Sequence, residues 1–291
     1  MIDYFNISNT GLGTQIFYPN SSGITSTLEW QIWQKPKNCK FVYFMVIGGG
    51  AGGGSGTSGA AGTTRNGGGG GGSSAVTKGL FPTNLLPDIL YVFVGKGGDS
   101  GQSGSLSYVS IEPDTTSSNL ILASGNQSFL PTTNGGAGGT AFLPSSTILS
   151  CYGIVESNAG NTGGLGGSGA GNTETQDNSI TGGGAAGAGV VSTSSSGGNI
   201  AQGLFTPLIS GGAAGRNDGY SGVFSQFPSI HSTSNAPLYF TGGSGGGSNN
   251  TSIGGAGGKG SYGSGGGGGG AGVTGGAGGK GGDGLVIIVS L

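Results

Sequence analysis

Several stretches of this chain read Gly-Gly-x in steps of three. Gly135-Gly136-Ala137-Gly138-Gly139-Thr140 and Gly163-Gly164-Leu165-Gly166-Gly167-Ser168 are two of them. Gly254-Gly255-Ala256-Gly257-Gly258-Lys259 and Gly275-Gly276-Ala277-Gly278-Gly279-Lys280-Gly281-Gly282-Asp283 follow the same rule. A period of three matches an extended helix with three residues per turn and a rise of ~3.1 Å, in which every third residue falls on one ridge. The other two ridges are then bare backbone. Such a helix makes no internal hydrogen bonds, so once buried its N–H and C=O groups must find partners on neighbouring segments. Ridges without side chains allow that approach. The remaining ridge, carrying Ala, Leu, Ser or Lys, is expected to face the edge of the array. A flexible linker needs neither the period nor the interleaved Leu and Ile.

Glycine supplies 75 of 291 residues, and a chain so rich in it is ordinarily low-complexity polymer. Compact apolar runs argue otherwise. Phe41–Ile47, Ile89–Val94 and Leu285–Val289 are rich in β-branched and aromatic residues, have strand length and are flanked by glycine, so strands are predicted at all three. Charge is too low for charged disorder, with Lys+Arg 9 against Asp+Glu 11. No helix is predicted, since each Gly costs about 1 kcal/mol in a helix interior. The expected fold is mainly β and irregular, short strands framing a packed array of extended polyglycine-type helices with essentially no α-helix. Residues 1–40 are set apart as an attachment or framing segment, and residues 41–291 as the glycine-rich domain.

Residues 1–40 hold Trp30 and Trp33 and only Gly11, Gly13 and Gly23. Leu28-Glu29-Trp30-Gln31-Ile32 alternates like a half-buried strand that ends or bulges at Trp33, and both tryptophans read as core. Lys35-Pro36-Lys37-Asn38 reads as a turn. Cys39 and Cys151 read as free, buried thiols rather than a disulfide. With His231 they have no standard zinc spacing.

Catalytic signals are sparse, and the chain is read as non-enzymatic, with no catalytic residues, cofactor or metal. Gly242-Gly243-Ser244-Gly245-Gly246 matches G-x-S-x-G, but such a match is expected by chance in this composition and no helix follows it. Lys96, Lys259 and Lys280 follow Gly but precede Gly, so the hydroxyl of a phosphate loop is missing. Asp99, Asp218 and Asp283 read as turn residues. Glu112 with Asp114, and Glu174 with Asp177, are the close acidic pairs, and both sit among turn formers. Clustered Lys and Arg for nucleic acid are absent, as is an apolar stretch of the ~18 residues that a membrane span needs. Met1-Ile2-Asp3-Tyr4-Phe5 lacks the pattern of a secretory signal, which predicts synthesis in a host cytoplasm.

The region Arg216–Phe240 differs from its surroundings: glycine thins out, and Tyr220, Phe224, Phe227, His231, Tyr239 and Phe240 stand among Ser, Asn and Pro. Aromatics on a polar loop bring large contact area at low entropic cost. Tyr220, His231 and Tyr239 are therefore the candidate contact residues.

The order of features is itself informative. Phe44-Met45-Val46-Ile47-Gly48-Gly49-Gly50 is followed by Gly67–Gly72 with Ala75-Val76-Thr77, then by Tyr91-Val92-Phe93-Val94-Gly95-Lys96-Gly97-Gly98, and last by Gly275–Gly284 running into Leu285–Val289. It resembles the glycine-rich domains of phage tail-fibre proteins and of virion proteins of large DNA viruses, and most closely the tip adhesins of T-even-type tail fibres. The resemblance implies polyglycine helices in a rigid sandwich and a virion protein (tail fibre, tip or other surface component) whose loops bind a host receptor. A purely structural fibre or minor capsid role is the alternative. The implied partners are other virion proteins, in an oligomeric setting, and a host surface glycan or outer-membrane protein, with neither nucleic acid nor membrane insertion.

Overall fold

The computed structural model describes residues 13–20, 29–125, 153–175, 180–203, 206–215, 217–223 and 238–291. Nine strands are described: β1 (Thr14–Phe17), β2 (Gln31–Gln34), β3 (Phe41–Ile47), β4 (Val76–Pro82), β5 (Ile89–Phe93), β6 (Ser107–Ser110), β7 (Leu120–Ser124), β8 (Ile154–Asn158) and β9 (Leu285–Ser290). One short 3₁₀ turn at Thr83–Leu85 is the helical element among the described residues. The strands form two antiparallel sheets, ordered β1-β9-β3-β4-β8 and β2-β5-β6-β7.

The sheets stack through alternate residues. Val42, Phe44 and Val46 of β3, with Val286 and Ile288 of β9, pack against Leu90, Val92, Val109 and Leu122 of the second sheet. The intervening residues Met45, Ile47, Leu285, Ile287 and Val289 point the other way, into a second core with Phe240 and Tyr262. Burial on both faces explains why β3 and β9 are unbroken apolar runs rather than alternating ones. Residues 1–40 lend one edge strand to each sheet, β1 beside β9 and β2 beside β5.

The register of β2 differs from the alternation read in the sequence. Trp33 turns inward and is fully buried, edge-on to Phe44 at 6.3 Å, while Ile32 is 62% exposed. Trp30 lies on the outer face against Phe93 and Tyr108. Burying an indole of 150–250 Å² is worth about 4–6 kcal/mol. The Nε1–H of Trp33 finds no acceptor, a cost of about 1–3 kcal/mol. The ring wins, and it sets the register. The turn before β3 is as expected, with Asn38 in the left-handed region at φ 67°. Cys39 is free but only half buried, its thiol donating to the Phe41 carbonyl; Cys151 lies outside the described residues.

At one end of the sandwich the strands run on into glycine. From there extended segments pass outward and return side by side, and their hydrogen bonds repeat every three residues. Gly50, Gly53 and Gly56 donate to Gly282, Gly279 and Gly276, while Ala51, Gly54 and Thr57 donate to Gly72, Gly69 and Asn66. The stretch Gly265–Gly270 shows the full pattern. Its N–H groups donate in turn to Gly182, Ala51 and Gly258, then to Ala185, Gly54 and Gly255. Its carbonyls accept in turn from Gly243, Gly71 and Gly279, then from Gly246, Gly68 and Gly276. Six neighbouring segments thus surround it, and a Cβ at any of the positions 265 to 270 would strike a neighbour's carbonyl oxygen. That is why six glycines stand in a row there. At the edge of the array every third position is free to carry a side chain, as at Ala277 and Lys280, both exposed.

Candidate functional site

The distal end of the array, away from the sandwich, gathers short loops. The chain turns between Thr57 and Asn66, between Val190 and Ser195, between Ser248 and Gly254, and between Gly272 and Thr274, each loop starting and ending on hydrogen-bonded array backbone. Their composition is Ser, Thr and Asn with a few aliphatics, polar enough to face water and short enough to be pinned.

Two side chains tie these loops together. Arg65 is only 4% exposed. Its guanidinium donates to the carbonyls of Thr63 and Gly59 at 3.2 Å, to the Asn250 carbonyl at 2.9 Å and to Asn250 Oδ1 at 2.7 Å. A buried cation needs its donors met, and carbonyl dipoles from two loops do this here. Asn250 also accepts from the Gly62 N–H through Oδ1, donates through Nδ2 to the Ser192 carbonyl and donates its N–H to Ser194 Oγ. Asn249 Oδ1 accepts from the N–H groups of Thr251 and Ser252 and shapes that turn. Val191 (54% exposed), Ile253 (41%) and Val273 (40%) project from the loops so fixed.

The residues singled out from the sequence fall elsewhere. Tyr220 is 63% exposed on the flank of the array, its N–H donating to Ser244 Oγ. Tyr239 is half buried beside Phe240, near the sandwich. The stretch 217–223 runs antiparallel to 241–247, with Gly247 donating to Asn217, Ser244 to Tyr220 and Thr241 to Val223. Tyr220 and Tyr239 are therefore separated by roughly 15 Å along the array at ~3.1 Å per residue. His231 lies outside the described residues. The tip loops were missed because each is a few Ser, Thr or Asn residues between glycine runs, whereas the aromatics of Arg216–Phe240 stood out. Arg65, a lone arginine within a glycine-rich stretch, was the available signal.

Other sequence features also find their places. Ser244 of the G-x-S-x-G match is fully buried, its hydroxyl accepting from the Tyr220 N–H at 2.7 Å and held within the array. Asp99 does sit in a turn, with the Gln102 N–H donating to its carbonyl. Asp218 and Asp283 instead cap neighbouring segments, accepting from the N–H groups of Ala256 and Gly97. A carboxylate reaches across where the array edge leaves an amide without a backbone partner. Asp114 accepts from the side chain of Asn119 and the N–H of Thr116 within its own loop. Among the described residues no three His, Cys, Asp or Glu side chains converge to hold a metal ion.

The family model described as a glycine-rich domain matches residues 25–290. The chain belongs to the glycine-rich domain family. The match begins ahead of β2 and reaches the last residue of β9, so the glycine-rich domain takes in every strand of the framing sandwich except β1 as well as the array. Among curated proteins none matches this chain.

Proposed function

We propose that this glycine-rich domain protein is a non-enzymatic virion protein, a tail-fibre, tip or other surface component, that binds a host cell-surface molecule, a glycan or an outer-membrane protein. The observation that carries the reading is the distal tip, where short polar loops are locked by Arg65 and Asn250 onto a backbone that is itself hydrogen-bonded throughout. Loops fixed beforehand lose little entropy on contact, which favours affinity. Exposed Val191, Ile253 and Val273 supply apolar area within a hydrogen-bonding surface. Tyr220, His231 and Tyr239 are the second set of candidate contact residues, with Tyr220 exposed on the flank.

The extended segments are read as polyglycine-type helices with three residues per turn. The three-residue repeat of the hydrogen bonds supports this, as does the scarcity of left-handed glycine: among the described residues only Gly62, Gly101, Gly169, Gly215 and Gly263 have positive φ. Glycine is used in the array for closeness of approach, not for unusual dihedrals.

Particles carrying Val191→Thr, Ile253→Thr and Val273→Thr together are expected to assemble normally and adsorb at least ~10-fold more slowly, as loss of a central contact cluster predicts. A second set, Tyr220→Ala, His231→Ala and Tyr239→Ala, measures the contribution of these three residues. Normal adsorption by both sets would leave the structural role, in a fibre or capsid, as the better reading.

A further inference from the structure

At the opposite end of the array from the tip, where it meets the sandwich, lies an open cleft of about 370 Å³ bordered by Tyr18, Asn20, Lys96, Tyr262, Lys280 and Asp283. The period of three builds it. Lys259 and Tyr262 are successive side-chain positions on one extended segment, and Lys280 and Asp283 on the next. Gly260 donates to the Lys280 carbonyl and Gly263 to that of Asp283, which aligns the two ridges.

The aromatic wall is fixed. Tyr262 packs edge-on against buried Phe240 at 5.7 Å, and Tyr18 meets Tyr262 at 5.9 Å with the rings tilted by 46°. The Tyr18 carbonyl accepts from Gln31 Nε2 at 2.8 Å, which anchors the segment leaving β1. Burial, then the neighbouring Tyr18 and Asp283, raise the pKa of the Tyr262 hydroxyl above the ordinary tyrosine value.

The charges are unequal. Asp283 is already engaged, Oδ1 accepting from the Gly97 N–H at 2.9 Å and Oδ2 lying 3.8 Å from Lys259 Nζ. Lys280 Nζ is 3.5 Å from Asp99 Oδ1, on a side chain 81% exposed. A solvated pair of that kind is worth little, and a bound carboxylate can replace it. Among the described residues the cleft and its rim thus gather three ammonium groups, Lys96, Lys259 and Lys280, against two carboxylates, Asp99 and Asp283, in a chain whose net charge is -2.

We propose that this cleft binds an acidic sugar, one pyranose unit bearing a carboxylate, with the C–H face of the ring on Tyr18 and Tyr262 and the carboxylate against Lys280 in place of Asp99. Tyrosine suits both halves of such a ligand, presenting an apolar ring and a polar tip. The volume lies at the lower end of the range for small-ligand sites, ~300–1,000 Å³. The inference goes beyond the virion reading and does not rest on it.

The test is titration of the full chain, followed by calorimetry and by saturation-transfer NMR, with D-glucuronate, D-glucose and inorganic phosphate. Glucuronate is expected to bind with Kd of about 1 mM or tighter, and glucose about tenfold more weakly. Lys280→Gln should cost about tenfold for glucuronate and leave glucose little changed. Tyr18→Ala should weaken both sugars. Both side chains are substantially exposed, and an unchanged melting temperature verifies that the variants fold. Absent glucuronate binding, binding unaffected by either variant, or phosphate binding as tightly as glucuronate would each overturn the proposal, the last by reducing the cleft to a plain anion site.

Discussion

Gly257 and Gly278 show what a single missing side chain does in this molecule. A Cβ at Gly257 would collide with the carbonyl oxygen of Gly267, and one at Gly278 with that of Gly53. Backbone inside a hydrogen-bonded array has nowhere to yield. Gly257→Val and Gly278→Val are each expected to lower unfolding free energy by about 3 kcal/mol or more, the upper end of overpacking costs. Ala277 lies between such positions on the exposed ridge, and Ala277→Ser should change stability by no more than about 0.5 kcal/mol. Denaturant unfolding of the three variants separates a close-packed array from a tolerant linker, for which all three would melt alike. At the tip the decisive residue is Arg65. Arg65→Met would strand carbonyls of Thr63, Gly59 and Asn250 and is expected to open the tip loops by about 2–3 kcal/mol. Faster amide hydrogen exchange confined to those loops would report it.

Among the elements, those buried on both faces were legible. β3 and β9 lie where unbroken β-branched and aromatic runs predicted them, because a strand covered on both sides has no polar positions to interrupt it; β5 lies where predicted too, although its burial alternates, because its outward positions are Ile89, Tyr91 and Phe93. β4 was hidden by its own composition: Lys78, Gly79 and Pro82 break the run. Gly79 is there to make room, since a Cβ would press on the rings and methyls of Phe81 and Leu122. β6 reads as two serines around Tyr108 and Val109, and the hydroxyl of Ser107 donates to the Ile47 carbonyl rather than to water. The tip was illegible for a different reason, because the bond from Arg65 to Asn250 spans 185 positions and no local pattern announces it. At the junction of elements, burial together with Tyr18 and Asp283 raises the pKa of Tyr262, and burial alone raises that of Tyr108. Above the ordinary tyrosine value near 10 the unfolded chain gives up protons that the folded chain keeps, so stability is complete below that pH and falls as pH rises through the folded values. Unfolding free energy measured from pH 8 to 11 should decline, and Tyr262→Phe should flatten part of that decline.

Taken whole, the molecule joins two ways of excluding water. The sandwich does it with large side chains, through Trp33, Phe44 and Phe81, and the array does it chiefly with main chain, helped by a small cluster of Ala185, Ile200 and Ile209. Buried hydroxyls hold the array in step. Ser264 Oγ donates to the Phe240 carbonyl and accepts from Gly182, and Ser248 Oγ donates to the Gly189 carbonyl and accepts from Ser195. Without such keys a run of identical glycines could shift along its neighbours at no cost in backbone bonding. The six-sided surroundings of Gly265–Gly270 carry this further, into the arithmetic of insertions and deletions. Hydrogen-bond partners there repeat every three residues, so losing one glycine points every later amide of the segment toward the wrong neighbour. Losing three shortens the segment by roughly 9 Å but returns each amide to the neighbour it had. Deletion of Gly268 alone should therefore be more damaging than deletion of Gly268, Gly269 and Gly270 together, a reversal of the usual order that melting temperatures would reveal. A gene for such a chain would have a second reading frame of sorts, counted in amino acids, and length variants that preserve the fold would differ by whole triplets of residues.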